Sequence, residues 1–200
     1  MVFTIGLTGS IATGKSEAAR LLAARGARVI DADLLVHAAY APGSPGFDAV
    51  VAAFGPGVLG PDGAIDRARL GERVFQDPDA MRLLTGIVWP LARQQAEALK
   101  QQAAAEGVPI LVIEAPLLLE AGWRDLVDEV WHVHASPEAA RDRLMKQRAL
   151  RHAETEARIA ARQPSPAGPS DLVIENNGDL TALAALVEAA WLTLIARKLV

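Results

Sequence analysis

The segment Gly9-Ser10-Ile11-Ala12-Thr13-Gly14-Lys15-Ser16 fits the pattern G-x-x-x-x-G-K-[ST], and Glu17 follows it directly. Two glycines permit a tight loop whose successive backbone N–H groups converge on an anion. A helix leaving that loop adds the positive end of its dipole. The lysine can bridge β- and γ-phosphates, and the serine hydroxyl can ligate Mg²⁺. Residues 9–17 are therefore expected to bind ATP, with Ser16 on the metal.

A held triphosphate needs an acceptor for the group it transfers. Asp31-Ala32-Asp33 ends an apolar run, where the ligand crevice of an open α/β sheet lies. A carboxylate there can take a proton from an attacking hydroxyl or help organise Mg²⁺. Read as an extended strand, the segment lets Asp31 and Asp33 share a face. Asp33 is assigned the functional role and Asp31 capping or support. Glu114 closes another apolar run, Ile110-Leu111-Val112-Ile113, and is a second candidate for Mg²⁺. A basic helical stretch carries Arg141, Arg143, Lys146, Arg148, Arg151, Arg158 and Arg162 against Asp142, Glu154 and Glu156. It is either a solvated face or a closing lid whose cations, Arg148 or its neighbours, cover the developing charge. His132 and His134 alternate on a strand without a third imidazole, so they make no metal set.

The elements that must position these residues alternate in type. Apolar runs at Phe3–Leu7, Arg28–Asp31, Ile110–Glu114, Glu129–His134 and Leu172–Glu175 read as five strands of a parallel sheet flanked by helices. A helix is expected from Glu17 to Ala24, with Gly26 ending it. Residues 34–107 lack a strand signal and read as a helical insertion. Asp77-Pro78 opens its long last helix, which Pro90 should kink or interrupt. Ser136-Pro137-Glu138 opens another helix, and Asp179 caps a final amphipathic one ending near Lys198. Three parts follow: a nucleotide-binding core at 1–33, 108–135 and 171–200, the insertion at 34–107, and a lid at 136–170. Trp123, Trp131 and Trp191 are expected in the core or at its edge.

Composition narrows the class further. The chain has 200 residues, 51% of them hydrophobic, which suits one globular domain with a small subdomain. A net charge of −4 argues against nucleic acid or a membrane surface as partner. The absence of cysteine removes disulfides, thiolate zinc sites and cysteine nucleophiles. The first strand begins at once, without a signal peptide, and no uninterrupted apolar run approaches the ~20 residues that span a bilayer. A cytoplasmic protein acting on a small molecule, as a monomer or weak homo-oligomer, is the expectation.

Read in order, these segments resemble the dephospho-coenzyme A kinases. The likeness rests on Gly6-Leu7-Thr8-Gly9 with Gly14-Lys15-Ser16, Val29-Ile30-Asp31-Ala32-Asp33, and Asp62-Gly63-Ala64-Ile65-Asp66-Arg67. It continues through Leu70, Val74-Phe75 and Asp77-Pro78, then Ala115-Pro116-Leu117-Leu118-Leu119-Glu120 and Asp171-Leu172-Val173-Ile174-Glu175-Asn176-Asn177-Gly178. The resemblance implies ATP- and Mg²⁺-dependent phosphorylation of the ribose 3′-hydroxyl of dephospho-coenzyme A. It implies Asp33 as base, Lys15 and a lid arginine such as Arg148 on the transferred charge, and Thr8, Asp33, Pro116 and Leu117 toward the acceptor. The chain departs from the family pattern at Trp89-Pro90, where a histidine-proline pair is usual. It departs again at Arg162, where a glutamine is usual, in the short Pro164–Ser170 loop, and at Ala12-Thr13, where Gly-Ser is commoner. Two alternatives stay open: a P-loop kinase for another small acceptor, such as a nucleoside monophosphate or sugar acid, and a nucleotide-binding module without transferase activity.

Overall fold

A computed structural model of the chain describes residues 2–148 and 169–198, with backbone alone at 146–148. Five strands form one sheet: β1 (Phe3–Thr8), β2 (Arg28–Asp31), β3 (Ile110–Glu114), β4 (Glu129–His134) and β5 (Leu172–Glu175), in the order β2-β3-β1-β4-β5. β1 runs parallel to β3 and β4, and β4 parallel to β5. Every residue of β3 is buried, and in β1 only Phe3 is partly open, as parallel strands covered on both faces require. Four of the five expected strands have the expected ends, and β1 runs one residue further.

Contacts divide the chain into two units, residues 1–30 with 102–200, and residues 31–101. In the first, α1 (Lys15–Ala24) and α7 (Leu180–Lys198) bury Leu22, Leu183, Val187 and Leu194 against Ile5, Leu7, Val112, Trp131, Val133 and Ile174. Trp123 is buried as well, and Trp191 packs at the edge of this core. α7 is the described helix that could cross a bilayer by length and composition. It carries Glu188, ion-paired with Arg25, and seats its buried leucines in the core. Its open sides also bear Leu180, Leu186 and Leu192, so it is less amphipathic than its sequence suggests.

The second unit is helical, with α2 (Ala32–Ala39), α3 (Pro45–Phe54), α4 (Arg67–Phe75) and most of α5 (Pro78–Ala105). Tyr40, Val50, Phe54, Val58, Ile65, Leu70, Val74 and Val88 form its core. Asp66 and Asp77 cap α4 and α5 by accepting from N–H groups of the first turn. α5 continues through Pro90 without interruption. Pro90 and Gly86, the residue one turn back whose carbonyl loses its partner, both lie on the exposed side. Water can satisfy that carbonyl, so the proline costs α5 less than it would in a core.

Candidate functional site

The loop between β1 and α1 is built from its backbone angles. Ala12 (φ 59°) and Gly14 (φ 91°) are left-handed with Thr13 between them, an alternation that turns successive N–H groups toward one side. Gly9 (φ 149°) sits against the end of β4, where a Cβ would meet the Val133 carbonyl oxygen at 2.4 Å. Thr13 Oγ1 donates to the Ser10 carbonyl at 3.0 Å and closes the loop on itself. α1 begins at Lys15, two residues before the expected Glu17, so Lys15 and Ser16 stand in its first turn. The Glu17 carboxylate, next in the predicted phosphate cradle, accepts from Arg20, and that hydrogen bond holds it below its ordinary range.

At the mouth of the loop, three predicted residues meet. Lys15 Nζ and Ser16 Oγ both donate to Glu114 Oε1, each at 2.6 Å. The Lys15 and Glu114 side chains are only 11% and 10% exposed, so this is an almost fully buried ion pair. Register explains it: β3 lies beside β1 and ends at Glu114 opposite Leu7, one residue before the strand gives way to the loop. A hydroxyl and a carboxylate oxygen are hard donors suited to Mg²⁺, so Ser16 and Glu114 fit that ion. No cluster of three or more His, Cys, Asp or Glu among the described residues offers another metal site. Beside this centre, Thr8 Oγ1 donates to the Pro116 carbonyl at 3.1 Å, and Leu117 is left exposed.

Asp31 and Asp33 do not share a strand face. β2 stops at Asp31, whose carboxylate accepts from the Asp33 N–H at 2.9 Å and caps α2. Asp33 lies in the first turn of that helix, because an aspartate with a free N–H two residues on favours the cap over continued extension. Its exposed carboxylate accepts no hydrogen bond among the described residues. One turn on, His37 packs edge-on against Tyr40 at 6.0 Å between ring centroids. Burial pushes the His37 imidazole below its ordinary pKa, Arg67 acts in the same direction, and Asp33 and Asp31 oppose it. Its Nδ1 is buried without a hydrogen-bond partner among the described residues. Trp89 is partly buried and packs against the core of the second unit.

Of the basic stretch, α6 (Pro137–Arg148) is described, with Ser136 Oγ accepting from the Ala139 N–H at its start. The Arg148 side chain, Arg151, Arg158, Arg162 and the Pro164–Gly168 part of the loop lie outside the described residues. Arg143 points back to the phosphate loop. Its Nη2 donates to the Asn176 carbonyl at 2.8 Å, the Gly178 carbonyl at 2.9 Å and Asn176 Oδ1 at 3.2 Å. Its Nη1 donates to the Ala12 and Thr13 carbonyls at 3.3 and 3.4 Å. The buried Asn176 gives its own Nδ2 to the Thr13 carbonyl at 2.7 Å. Sequence reading placed Arg143 in a lid and Asn176 in a turn. The only signal for the pairing was an Asn-Asn-Gly turn after the last strand of a sheet that carries the loop.

A family model for dephospho-CoA kinase matches residues 3–182. A dephospho-CoA kinase of Symbiobacterium thermophilum is 47% identical over 189 residues, 94% of this chain and 79% of its own length. One from Geobacter sulfurreducens is 44% identical over 189 residues, covering 94% and 96%. A crystal structure from Thermus thermophilus superposes with a TM-score of 0.78 at 31% identity, covering 96% of this chain and 98% of its own.

Proposed function

The chain belongs to the dephospho-CoA kinase family, and from that premise we propose that it moves the γ-phosphoryl group of ATP to the ribose 3′-hydroxyl of dephospho-coenzyme A. The observation that carries this reading is the meeting of Lys15 and Ser16 on Glu114 at the phosphate loop. Loop N–H groups bind the β-phosphate, and the Lys15 ammonium meets the charge that grows on the transferred group. Asp33 accepts the 3′-hydroxyl proton as the new oxygen–phosphorus bond forms and the bond to ADP breaks. Its carboxylate is free for that task because Asp31 supplies the helix cap. Ser16 and Glu114 would hold Mg²⁺, which would supply positive charge to the phosphate oxygens.

The helical unit of residues 34–107 would take the acceptor, and Thr8, Asp33, Pro116 and Leu117 would be the residues that bind it. Arg148, in the segment 136–170 read as a lid, would meet the transferred charge. The net charge of −4 argues against nucleic acid as a partner, and the enzyme is read as a cytoplasmic one acting on a small molecule. ADP release is measured with ATP, Mg²⁺ and, in turn, dephospho-coenzyme A, a nucleoside monophosphate and a sugar acid. Turnover is expected with the first alone; preference for either other acceptor overturns the substrate assignment.

A further inference from the structure

We propose that Arg143 and Asn176 are positioning residues that aim the phosphate-loop amides at the triphosphate, an inference that rests on the nucleotide-binding reading above. A trans peptide carries its C=O and its N–H on opposite sides. The carbonyl of Ala12 therefore shares a rigid plane with the N–H of Thr13, and the carbonyl of Thr13 with the N–H of Gly14. Holding those two carbonyls outward holds those two N–H groups inward.

Both carbonyls are held. Arg143 Nη1 reaches Ala12 O and Thr13 O, and Asn176 Nδ2 takes Thr13 O in a short buried bond. The pair is itself fixed: Arg143 Nη2 binds Asn176 O and Gly178 O, and the Asn176 N–H donates to the His134 carbonyl at 2.7 Å. Asn177 Oδ1 accepts from the Ser136 N–H at 2.7 Å, which anchors the same turn to the start of α6. The held segment needs such support, because Ala12 is the one described non-glycine residue with positive φ. A guanidinium behind the peptide planes also polarises them, strengthening the N–H groups as donors to an anion. Asn176 suits its place because it both donates and accepts, and it fills the space beside Gly14 where a Cβ would meet its Nδ2 at 2.4 Å.

The test uses inorganic tripolyphosphate, which carries the phosphates and no nucleoside. Calorimetric titrations with tripolyphosphate and with ATP are compared for wild type, Arg143→Met, Arg143→Lys and Asn176→Asp, with melting temperatures alongside. Asn176→Asp keeps size but cannot donate to the Thr13 carbonyl. Arg143→Met and Asn176→Asp are expected to weaken both ligands by about tenfold, with KM for ATP raised likewise and kcat at saturating ATP little changed. Arg143→Lys should fall between them and wild type. Variants that bind tripolyphosphate like wild type but ATP more weakly would place Arg143 on the nucleoside and overturn the inference. Unchanged binding of both with a lower melting temperature would leave a purely structural role. Should Arg143→Met fail to fold, Arg143→Lys and Asn176→Asp decide. Wild type binding neither ligand would defeat the nucleotide reading itself.

Discussion

Replacing Glu114 with glutamine separates its two jobs. In the folded protein its Oε1 neutralises the Lys15 ammonium and accepts from Ser16, with both ends of the ion pair nearly excluded from water. Removing one member of a buried pair costs about 3–5 kcal/mol, and glutamine, which keeps the shape and one acceptor oxygen, recovers about 1–1.5 kcal/mol per hydrogen bond retained. A net loss of about 2 kcal/mol corresponds to about 4–8 °C in melting temperature for a chain of this length. Nucleotide then discriminates further. With EDTA present, ATP should raise the melting temperature of Glu114→Gln at least as much as that of wild type, because Lys15 is no longer shared with a carboxylate. With Mg²⁺ present, turnover should fall about 10–100-fold and need more Mg²⁺ to saturate. Scanning fluorimetry with and without EDTA, and a Mg²⁺ titration of turnover, read both arms. An unchanged melting temperature together with an unchanged Mg²⁺ requirement would refute the reasoning.

Asp33→Asn should lower kcat by about 10²–10⁴-fold while calorimetry shows ATP affinity retained. Ala12→Gly relieves a left-handed alanine and should raise stability by about 1 kcal/mol, or about 2–4 °C in a thermal scan. His132 is buried on β4 and its pKa lies below the ordinary 6.5, chiefly through burial and then through the nearby His134. The unfolded chain then binds the proton more readily than the folded one, so stability is fully present above pH 6.5 and is lost as pH falls through the folded value. Denaturant titrations across acid pH should show that loss, and His132→Gln should flatten it.

The sheet was legible because its strands carry short apolar runs, fully buried in β3, and Asp31, Glu114 and Glu175 mark three of their ends. The phosphate loop was legible because its residue types answer to one local conformation. Asp33 was misplaced for a local reason: Asp-Ala-Asp fits a strand end and a capped helix start equally well, and the cap bond between residues 31 and 33 decides between them. Arg143 was not legible, since its partners lie 33 and about 130 residues away along the chain. Charge counting treats every arginine of a basic helix alike, and only the fold shows which one turns inward.

The most direct test of the central claim follows dephospho-coenzyme A itself, incubated with ATP, Mg²⁺ and the enzyme, by mass spectrometry and phosphorus NMR. The account predicts one new phosphate monoester on the ribose 3′-oxygen, formed in step with ADP and absent with Lys15→Met. ADP formed without any phosphorylated acceptor, or a new ester at another hydroxyl, would contradict it.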